Sequence, residues 1–88
     1  MSYTVVFAAT ARRDLEGISP RIVPAIIEFA FGELAQRPEE FGHLLQRDLE
    51  GYCGARRGPY RIMFHMSGPS SQVEILRVDH LVDSYRNS

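Results

Sequence analysis

The stretch Gly58-Pro59-Tyr60-Arg61-Ile62-Met63-Phe64-His65-Met66 decides how the rest of the chain is read. From Tyr60 onward two sets of side chains alternate. Tyr60, Ile62, Phe64 and Met66 share one parity, and Arg61, Met63 and His65 the other. A period of two belongs to a strand with one face on a core. Gly58-Pro59 ahead of it is a tight-turn pair, and Ser67-Gly68-Pro69-Ser70-Ser71 behind it is a hairpin loop. The flanking segments, Tyr52 to Arg57 and Gln72 to Val78, then become strands. Strands joined by turns this short form an antiparallel meander. The near-continuous apolar run Val73, Ile75, Leu76, Val78 predicts a central strand buried on both faces.

Working back toward the N-terminus, Glu39 to Glu50 is polar and reads as irregular, with a turn at Gly42. Ahead of it Ile22, Ile26, Phe29 and Ala30 fall on one helical face, widened by Val23, Ile27, Phe31 and Leu34. Ser19-Pro20 reads as the start of that helix. Pro24 removes a backbone donor, so the helix kinks there or begins there. Pro38 stops it. A shorter helix precedes it, with Thr10 as N-cap, Ala11, Leu15 and Ile18 on one face, and Gly17 at its end. Tyr3 to Ala8 is the first strand. The order β-α-α-β-β-β with a short C-terminal tail predicts an α+β fold. It is an antiparallel four-stranded sheet, with two N-terminal helices packed on one face and the other face partly open.

Eighty-eight residues suit one domain spanning 1–88. A single cysteine, Cys53, excludes an internal disulfide framework. Val5 to Ala9 is too short for a signal core, and no apolar run is long enough for a membrane span. A cytoplasmic setting without membrane contact is the expectation.

The net charge of −1 conceals an asymmetry. Residues 1–50 carry five arginines and eight acids, and residues 51–88 carry five arginines and three acids. Between Glu50 and Glu74 there is no acid, while Arg56, Arg57, Arg61 and His65 lie in that interval. All ten basic residues are arginine. Its planar, permanently charged fork suits phosphate, carboxylate or stacked bases. If Tyr60, Ile62 and Phe64 pack on the helices, Arg61 stands on the open face. Arg56 and Arg57 lead into it, Arg77 comes from the next strand, and His80, Tyr85 and Arg86 arrive on the tail. The alternative for Arg61 is an ion pair with Glu74 or a helix acid. The alternative for Tyr85 is to anchor the tail on the sheet.

Several chemistries do not fit. His43, His65 and His80 lack zinc-like spacing, so no metal is expected, nor any other cofactor. Cys53 sits in no cysteine-nucleophile motif. Glycine-rich phosphate loops and paired carboxylates in the basic half are missing. Arginines at a phosphodiester fit better. They position the group and stabilise developing negative charge without a metal. With RNA the 2′-hydroxyl is a built-in nucleophile, and an acid and a base beside the arginine would complete strand cleavage.

These residues resemble a known family. Tyr3-Thr-Val-Val-Phe7 with Ala11-Arg-Arg-Asp-Leu15 is similar to the start of RelE/ParE-superfamily toxins of bacterial type II toxin–antitoxin modules. So are Leu49-Glu-Gly51, Ala55-Arg-Arg-Gly-Pro-Tyr-Arg-Ile-Met-Phe64 and Val78-Asp-His-Leu-Val-Asp-Ser-Tyr-Arg86. The match runs along nearly the whole chain and looks closest to actinobacterial RelE-like mRNA interferases. The resemblance implies a ribosome-dependent, metal-independent mRNA endonuclease that inhibits translation. It also implies a cognate RelB-like antitoxin, an assembly such as a heterotetramer, and shared autorepression. Arg61 matches the family's phosphate-contacting arginine, Tyr85 its C-terminal tyrosine, and His80 a histidine near the site. Arg56, Arg57, Arg77 and Arg86 are the expected RNA-binding set. The chain departs from the ribosome-dependent members at Tyr52, Gly54 and Leu81, positions that are usually basic. That leaves open a ParE-like toxin that poisons DNA gyrase, or an attenuated toxin acting mainly by binding its antitoxin.

Overall fold

A computed structural model describes residues 3–44, 52–67 and 71–80. Strand β1 (Thr4–Phe7) leads into helix α1 (Ala9–Glu16). Helix α2 (Val23–Phe29) continues through a π-helical turn (Ala30–Leu34). A short helix α3 (Pro38–Phe41) and strand β2 (Gly42–Leu44) follow. Strands β3 (Tyr52–Arg57), β4 (Tyr60–Ser67) and β5 (Gln72–His80) complete the described fold.

The four expected strands form, and β3, β4 and β5 are the antiparallel meander that the two turns require. At the first turn Gly58 adopts φ 58°, which suits the twist of a two-residue hairpin and a residue without Cβ. The sheet as a whole is mixed, not purely antiparallel. Its order is β1-β5-β4-β3-β2, and β1 runs parallel to β5. Hairpin logic fixes direction only between strands joined by short turns, whereas β1 and β5 are separated by most of the chain. The segment read as irregular supplies α3 and the three-residue β2, which pairs with β3 at the sheet edge.

The core lies between the helices and one face of the sheet. Phe64, Ile62, Val73 and Ile75 are fully buried there together with Ile26 and Leu34. Helix α2 begins at Val23, with Pro24 in its first turn, where its missing N–H leaves no helix bond unmade. Its buried stripe is Ile26, Phe29, Ala30 and Leu34, narrower than the sequence pattern. Ile22, Ile27 and Phe31 stay exposed, Phe31 with its ring 5.9 Å from that of Phe7.

The apolar run in β5 has another cause than burial on both faces. The register steps between Met63 and Phe64, which face Arg77 and Ile75, so Leu76 is an extra residue in the ladder. The bulge changes the parity of β5. Val73 and Ile75 before it and Val78 after it therefore all reach the core.

Strand β5 also outruns β1, whose pairing stops at Phe7–Ile75. After the Ala8 N–H bonds the Ile75 carbonyl at 2.8 Å, the β5 edge needs other partners. Helix α1 supplies them. Thr10, expected as an N-cap, lies inside α1, and its hydroxyl donates to the Leu76 carbonyl at 2.6 Å. Asp14 Oδ2 accepts the Val78 N–H at 2.9 Å and the Arg77 Nε–H at 2.8 Å, and Oδ1 accepts from Arg77 Nη2 at 3.3 Å.

Arg77 is 47% exposed, so its pair with Asp14 contributes only about 0–1 kcal/mol. The charged bond to the Val78 backbone, worth about 1.5–3 kcal/mol, is the larger part. Asp14→Ala is expected to lower stability by about 2 kcal/mol and Thr10→Val by about 1 kcal/mol, read from urea denaturation midpoints. An Asp14→Ala protein as stable as the parent would refute this account of the edge.

Candidate functional site

Strand alternation and register sort the expected residues onto the two faces of the sheet. On the open face Arg56 of β3 stands opposite Arg61 of β4, and Arg61 opposite Asp79 of β5. Like charges on adjacent strands repel by about 0.2–1 kcal/mol unless compensated. Two contacts offset this here. Arg56 turns its Nε–H back onto the Gly58 carbonyl at 3.1 Å. Arg61 Nη2 lies 4.0 Å from Asp79 Oδ2, the outer limit of an ion pair, with its side chain 36% exposed. Arg61 Nε is buried and makes no hydrogen bond among the described residues. Among the described residues the guanidinium is thus unpartnered at its inner nitrogen and only weakly engaged at Nη2. Its acidic neighbour is Asp79, neither Glu74 nor a helix acid.

Arg77 shares the open face but is turned to the sheet edge. Its guanidinium binds both oxygens of Asp14 and lies 3.5 Å from Asp79 Oδ1. The Asp14 hydrogen bond, then the Asp14 and Asp79 charges, push the Arg77 pKa above its ordinary value. An alternating row Asp14–Arg77–Asp79–Arg61 therefore runs from α1 around the β5 edge onto the open face.

Two expected members of the cluster face the other way. Arg57 pairs in register with Tyr60 on the helix side, and its guanidinium carbon sits 5.9 Å from the Phe29 ring centre. There it borders a shallow apolar groove lined by Ile22, Ala25, Ile26, Pro59 and Tyr60. His80 also pairs with Tyr60, their rings edge to face at 5.2 Å. Both line a cleft of about 360 Å³ beside Arg13, Asp14 and Ile18. The expected convergence of Arg61 and His80 on one surface does not occur, because adjacent positions 79 and 80 of a strand point to opposite faces. Tyr85, Arg86 and Leu81 lie outside the described residues.

The sequence reading assigned no site role to four participants. Asp14 looks like an ordinary exposed helix acid, and only the end of β1 makes it an edge partner. Asp79 had a signal in the Arg77-Val78-Asp79 alternation. Tyr52 and His65 are cross-strand partners on the open face, with rings 5.7 Å apart at 57°.

The arrangement places two guanidinium groups, Arg56 and Arg61, on adjacent strands of the open face. Comparison with known proteins gives the family. A family model described as the ParE toxin of the type II toxin–antitoxin system parDE matches residues 5–85, and the chain belongs to that family. More narrowly, it is a RelE-like toxin of a type II toxin–antitoxin system. Toxin RelG of Mycobacterium tuberculosis is 50% identical over 98% of this chain and 99% of its own. Toxin RelE of the same organism is 40% identical over 96% and 87%. A chain in the crystal structure of the M. tuberculosis toxin–antitoxin complex RelBE2 is 49% identical, with a TM-score of 0.88 over 91% of this chain and 99% of that one. A mutant of E. coli RelE in the free state shares the fold at 16% identity, with a TM-score of 0.73 over 97% and 90%.

Cys53 is buried on the core face, and desolvation pushes its thiol pKa up. A protonated, inaccessible thiol is a poor nucleophile. Iodoacetamide at pH 8 is expected to leave Cys53 unlabelled in the folded protein and to label it fully in denaturant. Rapid labelling of the folded protein would contradict the packing described.

Proposed function

We propose that this toxin is a ribosome-dependent mRNA endonuclease that works without a metal, with Arg61 as its phosphate clamp. The single observation that carries the reading is the Arg56–Arg61 pair on the open face, with the Arg61 side chain partly exposed and only 4.0 Å from its one acidic neighbour among the described residues, Asp79. A phosphodiester laid on Arg61 would displace Asp79 as its partner. The adjacent 2′-hydroxyl attacks phosphorus, its proton passes to a base, and the bond to the 5′-oxygen breaks. The leaving oxygen takes up a proton, giving a 2′,3′-cyclic phosphate and a 5′-hydroxyl. Arg61 stabilises the charge that builds on the non-bridging oxygens. Tyr85 and Arg86 of the tail are the proposed partners, for proton transfer or stacking and for phosphate contact. Arg77, tied to Asp14, positions Asp79 and Arg61, and His80 with Tyr60 supports the end of β5. Arg57 borders the apolar groove.

A RelB-like antitoxin is the natural neutralising partner, given the RelBE2 complex of the 49% identical relative. The exposed Ile22 at the groove, and the exposed Ile27 and Phe31 elsewhere on the helical face, suit coverage by such a partner. The setting would be the cytoplasm, where mRNA is translated.

A second reading, poisoning of DNA gyrase, draws on Tyr52 and Gly54 standing where ribosome-dependent members are basic. A chain of net charge −1 also gains little long-range attraction to RNA. Induction without antitoxin is expected to arrest growth, with in-frame mRNA cuts visible by primer extension. Arg61→Ala is expected to reduce cleavage about 10²–10³-fold and relieve the arrest. Linearised plasmid trapped on gyrase, with mRNA intact, would replace the nuclease reading by the gyrase one.

A further inference from the structure

The open face carries a second feature, four residues along β4 from the arginine clamp. Tyr52 and His65 stand opposite each other on β3 and β4, both partly exposed, their rings 5.7 Å apart and inclined at 57°. Between this ring pair and the Arg56–Arg61 row lies the row of Gly54 and Met63. Glycine adds no side chain there, and the Met63 thioether is apolar and partly exposed. The spacing from Arg61 to His65 is about 13 Å at roughly 3.3 Å per residue. Roughly two nucleotides of an extended single strand span that distance.

Charge distinguishes the two ends of the strip. Arg56 and Arg61 make one end cationic, whereas Glu74 stands directly across from His65 at the other. A carboxylate beside the rings repels phosphate but does not repel a neutral base. Aromatic side chains next to a cationic row are the general means of holding an unpaired nucleobase while its backbone is held electrostatically.

We propose that Tyr52 and His65 form a stacking platform for one unpaired nucleobase, about two nucleotides along the strand from the phosphate at Arg61. The proposal rests on the RNA-binding reading of the open face and adds a base-recognition site to it. Tyr52 then contributes base contact and no charge. Met63 forms the apolar wall through which the strand passes from phosphate clamp to platform. Because stacking accepts any π-face, the platform fixes the position of the strand more than its sequence.

The test uses the full chain purified from its antitoxin and a non-cleavable 2′-O-methyl RNA hexamer with one 2-aminopurine moved through each position. At one position binding is expected to quench the fluorescence. Tyr52→Leu and His65→Leu are each expected to abolish that quench and weaken binding about five- to hundredfold. Tyr52→Phe, which keeps the ring, should restore both, and this separates stacking from any folding defect. A hexamer abasic at that position should bind Tyr52→Leu and parent equally. A quench unchanged in Tyr52→Leu, or equal losses for intact and abasic hexamers, would overturn the platform. The nuclease reading fails separately, if Arg61→Ala leaves mRNA cleavage intact while the Tyr52-dependent quench persists.

Discussion

The carboxylate of Asp14 at the unpaired edge of β5 is the contact on which the rest of this structure depends. Strand β1 pairs over only four residues, while β5 runs for nine. The uncovered part of β5 is the part that carries Arg77, Val78 and Asp79. Without Asp14 on the Val78 N–H and the Arg77 guanidinium, that segment would have no fixed neighbour on one side. With it, α1 serves as a surrogate strand, docking through Thr10 and Asp14 side chains rather than a backbone ladder. The parallel β1–β5 pairing and the placement of α1 follow from the same arrangement.

That edge contact also determines how charge is disposed on the open face. Arg77 belongs to the edge because Asp14 holds it, so its guanidinium is the less available to a ligand. Asp79 then lies between Arg77 at 3.5 Å and Arg61 at 4.0 Å. The tighter bond goes to the arginine already engaged, and Arg61 keeps the weaker one. A carboxylate in this place limits the field of the arginine pair, in keeping with a chain of net charge −1. The Arg61 guanidinium is therefore partially satisfied and does not stand in a bare cationic pocket.

The bulge at Leu76 has a comparable reach. One extra residue reverses the parity of β5, so Val78 enters the core while Arg77 and Asp79 reach the open face. Without the bulge the open face beside Arg61 would carry Val78 and His80. The same inserted residue turns His80 toward Tyr60 and the cleft by α1, on the far side of the sheet from Arg61.

The sequence by itself determined the strands β3 and β4, the turn at Gly58-Pro59, the apolar stripe of α2 and the open face that bears Arg61. Each is encoded locally, by a period of two, a turn pair or a helical repeat. It also carried the family resemblance, whose blocks are contiguous stretches of residues. Tertiary structure alone decided the direction of β1, the parity of β5 beyond Leu76 and the engagement of Arg77 by Asp14. It likewise decided which of Arg56 and Arg57 stands with Arg61, and that His80 does not. Those outcomes depend on register between segments far apart in the chain, and a register shift of one residue moves a side chain to the opposite face. No local pattern records that shift, because its energy comes from partners brought together only when the sheet closes.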